Sequence, residues 1–225
     1  MQRITSLFDY FKKYEQSVKD PEEFWAEIAD NFIWKKKWDK VLDWDFDSVD
    51  IKWFKNAKLN ITENILEKNL IDRADKTAII WEPNDPNEPS IRLTYKELYE
   101  ETCKFSNALR EKGIKKGDRV IIYMPMVPEA AIAMLACARV GAIHSVVFAG
   151  FSSTSLADRI NDCQAKMVLT SDGNFRGNKT IPVKPVVDEA LEKCKTIESV
   201  VVLERTKQKI NMTSGRDFWW HDCIR

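Results

Sequence analysis

Three short, unbroken apolar runs constrain this chain more than any other feature: Val120-Ile121-Ile122, Met167-Val168-Leu169 and Val200-Val201-Val202. A strand with one wet face alternates apolar and polar residues, so a strand without alternation must be covered on both faces. Segments of helical period lie between the runs. Pro128 to Val140 is apolar nearly all round and stops at Gly141; Ser152 to Gln164 turns Leu156, Ile160 and Cys163 to one side; Pro185 to Lys195 supplies a third. Ile143 to Phe148 reads as a further strand. Strands separated by helices predict an α/β fold over residues 76–225, a largely parallel sheet with helices on both faces.

Ahead of that sheet, Thr77 to Trp81 and Ile91 to Leu93 read as short strands joined by the Pro- and Asn-rich turn Pro83 to Pro89, as in a hairpin. Thr94 followed by Glu97 predicts a capping box for a helix that buries Leu98, Thr102, Phe105 and Leu109. A last helix is expected near Arg216 to Arg225, with Ser214 and Asp217 at its cap.

Residues 1–75 read as a helical, aromatic-rich extension. Leu7, Phe8 and Phe11 share one helix face, and Tyr10 and Tyr14 another. Asp20-Pro21-Glu22-Glu23 marks a second helix start, with Trp25, Ile28, Ala29 and Phe32 at i, i+3, i+4 and i+7. From Trp34 to Phe54 four Trp stand among Asp and Lys with no clear period, and an irregular segment is expected there.

The 35 basic side chains cancel the 35 acidic ones. No global field draws the chain to nucleic acid or an anionic membrane, so any phosphate site must be local. The five cysteines are scattered and form no CxxC pair, which fits a reducing compartment and neither a disulfide framework nor a zinc site. The first residues lack the basic start, apolar run and cleavage site of a signal peptide, and no stretch is long enough to span a bilayer. A cytoplasmic protein without membrane or nucleic-acid partners is expected.

Ligands of open parallel sheets bind beyond the carboxyl ends of the strands. Two loops stand out there. Ala149-Gly150-Phe151-Ser152 offers a glycine that admits close approach and a following helix N-terminus. Ser171 to Lys179 holds Arg176 and Lys179 around the Gly177-Asn178 pair, which favours a tight turn. The two cations are suited to clamp a phosphate, Arg as a fork and Lys as a point charge. On the residues alone, solvated surface charges are the commoner explanation of such a loop. His144, in an apolar run, reads as a hydrogen-bonded core residue. No catalytic constellation or metal-ligand cluster stands out.

Longer runs carry more. Tyr123-Met124-Pro125-Met126-Val127-Pro128-Glu129-Ala130 and Arg139-Val140-Gly141-Ala142-Ile143-His144 through Ser152 closely resemble the acetyl-CoA synthetase branch of the acyl-adenylate-forming enzymes. Leu156 to Asp162, Gly215 to Asp222 and, upstream, Asp75 to Glu82 resemble it in the same order. The resemblance implies the opening part of a larger adenylate-forming domain and of an AMP-forming acetate–CoA ligase. It implies that Arg176, Gly177, Asn178 and Lys179 hold coenzyme A, chiefly by its 3′-phosphate, and that Gly150 lies beside the same ligand. The family usually has Gly or Ala where Asn178 or its neighbour stands; Asn tolerates a left-handed backbone. ATP and Mg are used by the complete enzyme, but the phosphate loop, acetate pocket and catalytic lysine lie further along such chains. The resemblance therefore implies no catalytic residue here, inactivity alone, and the remainder of the polypeptide as partner. Left open are a standalone CoA-binding or interaction module, and a sibling ligase for propionate or acetoacetate.

Overall fold

The computed structural model describes residues 4–224; Met1 to Arg3 and Arg225, the expected end of the last helix, lie outside them. The chain divides into two compact units meeting between Asn64 and Ile65, upstream of the Lys76 boundary read from the sequence.

The first unit opens with α1 (Leu7–Lys19) and α2 (Pro21–Ala29). Both carry side-chain caps: the Ser6 hydroxyl accepts the Asp9 amide, and the Asp20 carboxylate accepts the Glu23 amide at 3.0 Å. Pro21 then stands at the first helical position, where its missing N–H costs nothing. The segment expected to be irregular is an antiparallel hairpin, β1 (Lys40–Asp45) with β2 (Asp50–Lys55), Leu42 lying opposite Trp53. Its aromatic rings pack on one another: Trp38 meets Trp34 at 5.3 Å and Phe54 at 5.2 Å between centroids. The hairpin's charges pair among themselves, as in Lys55–Asp43. Strand alternation is blurred there because both faces of the ribbon are largely exposed.

The second unit begins with a π-helical turn that passes into α3 (Lys68–Arg73). The expected hairpin follows, β3 (Thr77–Trp81) against β4 (Ile91–Thr94). α4 (Tyr95–Glu111) starts with both halves of the capping box, Glu97 N–H to Thr94 Oγ1 at 3.1 Å and Thr94 N–H to Glu97 Oε2 at 2.8 Å. Then come β5 (Arg119–Tyr123), α5 (Pro128–Val140), β6 (Ile143–Val146), α6 (Ser153–Cys163) and β7 (Met167–Ser171). A second small hairpin, β8 (Gly173–Arg176) and β9 (Lys179–Pro182), precedes α7 (Lys184–Leu191), β10 (Ser199–Leu203), β11 (Asp217–Trp219) and α8 (Trp220–Cys223).

Five of these strands form one parallel sheet in the order β11-β10-β7-β5-β6. Its residues divide by parity. Val120, Ile122, Met167 and Leu169 pack with α4 and α5, while Ile121, Tyr123, Val168 and Val200 pack with α6 and α7. Both faces are dry, which is why these strands read as unbroken apolar runs.

At its far end the fold departs from expectation. Asp217 caps no helix; it opens β11, pairing with Val200, and only the short α8 follows. The reason is electrostatic. The Lys184 ammonium, wholly buried, donates to Asp217 at 2.8 Å and to Asp188 at 2.6 Å, and the Arg216 guanidinium bonds both carboxylates. A buried cation persists only when paired this way, so α7 and β11 are locked together. On the opposite face Trp220 stacks on Phe105 with centroids 3.7 Å apart.

Candidate functional site

The carboxyl ends of the sheet strands carry both loops singled out from the sequence. β5 lies between their strands, so they rise from the same edge but not from neighbouring strands.

The loop after β6 is anchored by Tyr123, whose hydroxyl donates to the Phe151 carbonyl at 2.7 Å. Burial pushes the Tyr123 phenol up, so it stays a neutral donor. Phe148 and Phe151 meet edge to face at 5.9 Å. Gly150 lies beneath the Phe148 ring, so close that a Cβ there would stand 2.4 Å from Cε1. Phe148 is 71% exposed, so its ring is the partner with room to move.

The segment expected as a loop after β7 is instead the β8–β9 hairpin, with Asn174 opposite Ile181 and Arg176 opposite Lys179. Gly177 and Asn178 form its two-residue turn. Only Gly177 has a positive φ, 55°, which is the type II′ pattern with glycine first. Asn178 therefore needs no left-handed backbone. Directly opposed residues project to one side of a ribbon, so Arg176 and Lys179 present two positive charges together. Like charges so placed repel by several tenths of a kcal/mol, roughly, and a bound anion would relieve that. Among the described residues neither cation has an ion-pair partner, and Arg176 through Lys179 are all exposed.

The hairpin is held from beneath and from the side. The fully buried Asp172 carboxylate accepts the amides of Gly173, Arg205, Thr206 and Gln208 at 2.7 to 3.2 Å, tying the hairpin's base to the loop after β10. From the side comes the β3–β4 turn. The Asn84 side-chain amide donates to the Gly177 carbonyl at 2.9 Å and accepts the Gly177 N–H at 3.0 Å. Glu88 grips Arg205 with two bonds of 2.9 Å, and the Arg205 guanidinium lies over the rings of Trp81, at 5.0 Å, and Phe175, at 4.8 Å. An open groove of about 570 Å³ runs between turn and hairpin, lined by Asn84, Asp85, Glu88 and Phe175. Its two carboxylates make it a poor phosphate site, and neither Arg176 nor Lys179 lines it.

Asn84, Asp172 and Arg205 were not singled out from the sequence. Asn84 stood in a turn read only as a turn, and its partner is 93 residues away. Asp172 lay inside the Ser171 to Lys179 candidate loop, but only the two cations and the turn between them were given a role there. His144, expected among the core residues with a hydrogen bond, is half-buried on the edge strand β6; among the described residues its imidazole has no hydrogen-bond partner, and burial pushes it down. Among the described residues no group of three or more His, Cys, Asp or Glu is placed to hold a metal ion, and no helix is long and apolar enough to cross a membrane.

Two families match in sequence: the acetyl-coenzyme A synthetase N-terminus over residues 10–65 and the AMP-binding enzymes over residues 66–222. Their junction falls beside the division between the two compact units. The acetyl-coenzyme A synthetase of Syntrophobacter fumaroxidans is 51% identical over 96% of this chain and 33% of its own length. That of Bradyrhizobium diazoefficiens is 52% identical over 95% of this chain and 33% of its own. The chain thus spans about a third of the length of the curated relatives it matches. The acetoacetyl-CoA synthetase from Streptomyces lividans superposes with a TM-score of 0.83 over 93% of this chain and 32% of that one, at 24% identity, a likeness of fold.

Proposed function

This chain belongs to the AMP-binding enzyme family, and from that premise we propose that it forms the N-terminal part of an acetate–CoA ligase and contributes the site for the 3′-phosphate of coenzyme A. In the reaction of such a ligase, acetate attacks the α-phosphate of Mg-ATP, giving acetyl-AMP and pyrophosphate. The thiol of CoA then displaces AMP. This chain's share is to bind and orient the thiol substrate. Arg176 and Lys179 carry the phosphate, the Gly177-Asn178 turn brings them side by side, and Gly150 lets the ligand pass close to the backbone beside the movable Phe148 ring.

The observation that supports this best is the pair of opposed, unpartnered cations at the tip of a braced hairpin on the carboxyl edge of the sheet. Two like charges held together without a carboxylate suit a dianionic phosphate better than a monoanion. ATP and Mg act in the complete enzyme through residues beyond this chain, and a cytoplasmic setting, where these substrates occur, fits the scattered free thiols.

The test has two halves. Supplied with acetate, Mg-ATP and CoA, the 225-residue chain is expected to release neither AMP nor pyrophosphate, while binding CoA more tightly than 3′-dephospho-CoA. Acetate-dependent AMP release by the chain alone, or equal affinity for the two thiols, contradicts the reading.

A further inference from the structure

The turn that presents Arg176 and Lys179 does not support itself. Its strands, β8 and β9, are four residues each, and an isolated two-stranded ribbon of that length is marginal in water. Both hydrogen-bonding groups of the Asn84 side chain are directed at one residue of that turn, and so at the two peptides that flank it: Nδ2 donates to the Gly177 carbonyl and Oδ1 accepts the Gly177 N–H. This is the residue whose positive φ defines the turn. Only one orientation of the amide satisfies both bonds, so the pairing is specific to Asn. Asp would offer no donor to the carbonyl and would set a negative charge beside the two cations. The turn that carries Asn84 is anchored four residues on, where Glu88 makes two bonds to Arg205. Arg205 in turn contacts the rings of Trp81 and Phe175 and is held through its own amide by Asp172.

We infer that Asn84 is a positioning residue for the phosphate-binding tip: by holding the two peptides on either side of the Gly177 Cα it sets where Arg176 and Lys179 place their charges. The role rests on the reading of that tip as the 3′-phosphate site. Asn84 touches no ligand in this account. It acts on the part of the affinity that comes from the phosphate, and leaves the rest of the coenzyme's binding alone.

Calorimetric titration of the 225-residue chain with CoA and with 3′-dephospho-CoA separates the possibilities, using the wild type, Asn84→Ala and Arg176→Ala. The wild type is expected to favour CoA by about tenfold, and Arg176→Ala to bring that ratio near one. Asn84→Ala is expected to lower the ratio by about three- to fivefold, through weaker CoA binding with dephospho-CoA unchanged. A variant that weakens both thiols equally, or keeps the wild-type ratio while Arg176→Ala loses it, overturns the positioning role and leaves the tip reading standing. If Arg176→Ala keeps the wild-type ratio, the tip reading fails and the role of Asn84 with it. Should Asn84→Ala lose its cooperative thermal transition, Asn84→Ser, which removes the amide but keeps a small polar side chain in the turn, carries the same comparison.

Discussion

Gly173, at the base of the β8–β9 hairpin, has no room for a methyl group: a Cβ would lie 2.5 Å from Thr206 Oγ1 and 3.0 Å from the Ile181 carbonyl oxygen. One of those atoms is backbone paired within the hairpin, so it cannot simply swing away. Gly173→Ala is expected to destabilise the chain by about 1–3 kcal/mol, seen as a lower thermal midpoint. Gly177 is restricted for a different reason. Nothing lies within 4 Å of its Cβ position, but its φ of 55° is left-handed, so Gly177→Ala should cost only about 1–2 kcal/mol of strain. Cys137 illustrates burial acting on chemistry. Desolvation pushes its thiol up to about 12, and it is wholly inaccessible. A thiol reagent at neutral pH should label it only after denaturation, whereas labelling of the folded chain at Cys137 would mean that α5 opens readily.

At the level of elements, the α7–β11 lock should dominate the response to charge-removing substitutions. Lys184→Ala leaves two carboxylates facing a buried hole and is expected to cost about 3–5 kcal/mol in denaturant unfolding, with Lys184→Met costing less. The same lock sets an acid limb. Burial alone would raise the Asp217 carboxyl, but hydrogen bonds from Arg216 and Lys184 outweigh it and hold the group below its ordinary value. Folded, it therefore takes up its proton at lower pH than unfolded. Its contribution is complete above the unfolded value near ~3.9 and is lost as pH falls through the folded one. Asp217→Asn should flatten the fall in unfolding free energy between about pH 5 and pH 2 relative to the wild type. Elements that rest on local pattern were legible beforehand: the sheet strands from their unbroken apolar runs, α4 from its capping box, the β3–β4 hairpin from its turn. Elements that rest on distant partners were not. β11 looks like a helix start because Asp217 suits a cap, but it pairs with β10 and its carboxylate turns to the distant, buried ammonium of Lys184. The β1–β2 ribbon hid because its charged, exposed residues carry no period.

For the whole molecule, the functional reading depends on two loops that leave one edge of a parallel sheet and on a brace that no local pattern announces. Arg176 to Lys179 and Gly150 stand out in the sequence as candidates because strand ends are where α/β sheets bind ligands, although solvated charges are the commoner explanation there and their coenzyme role comes from the family resemblance. Asn84, Glu88 and Arg205 do not, since long-range hydrogen bonds leave no trace in spacing. The central claim, that this chain carries the coenzyme's 3′-phosphate on the hairpin tip, is tested most directly by following its backbone amide resonances by NMR during titration with CoA and then with 3′-dephospho-CoA. The account predicts that CoA shifts the amides of Arg176, Gly177, Asn178 and Lys179 together with Gly150. Dephospho-CoA should still move Gly150 and leave the hairpin tip nearly unchanged. Tip resonances that respond equally to both thiols, or to neither, would contradict it.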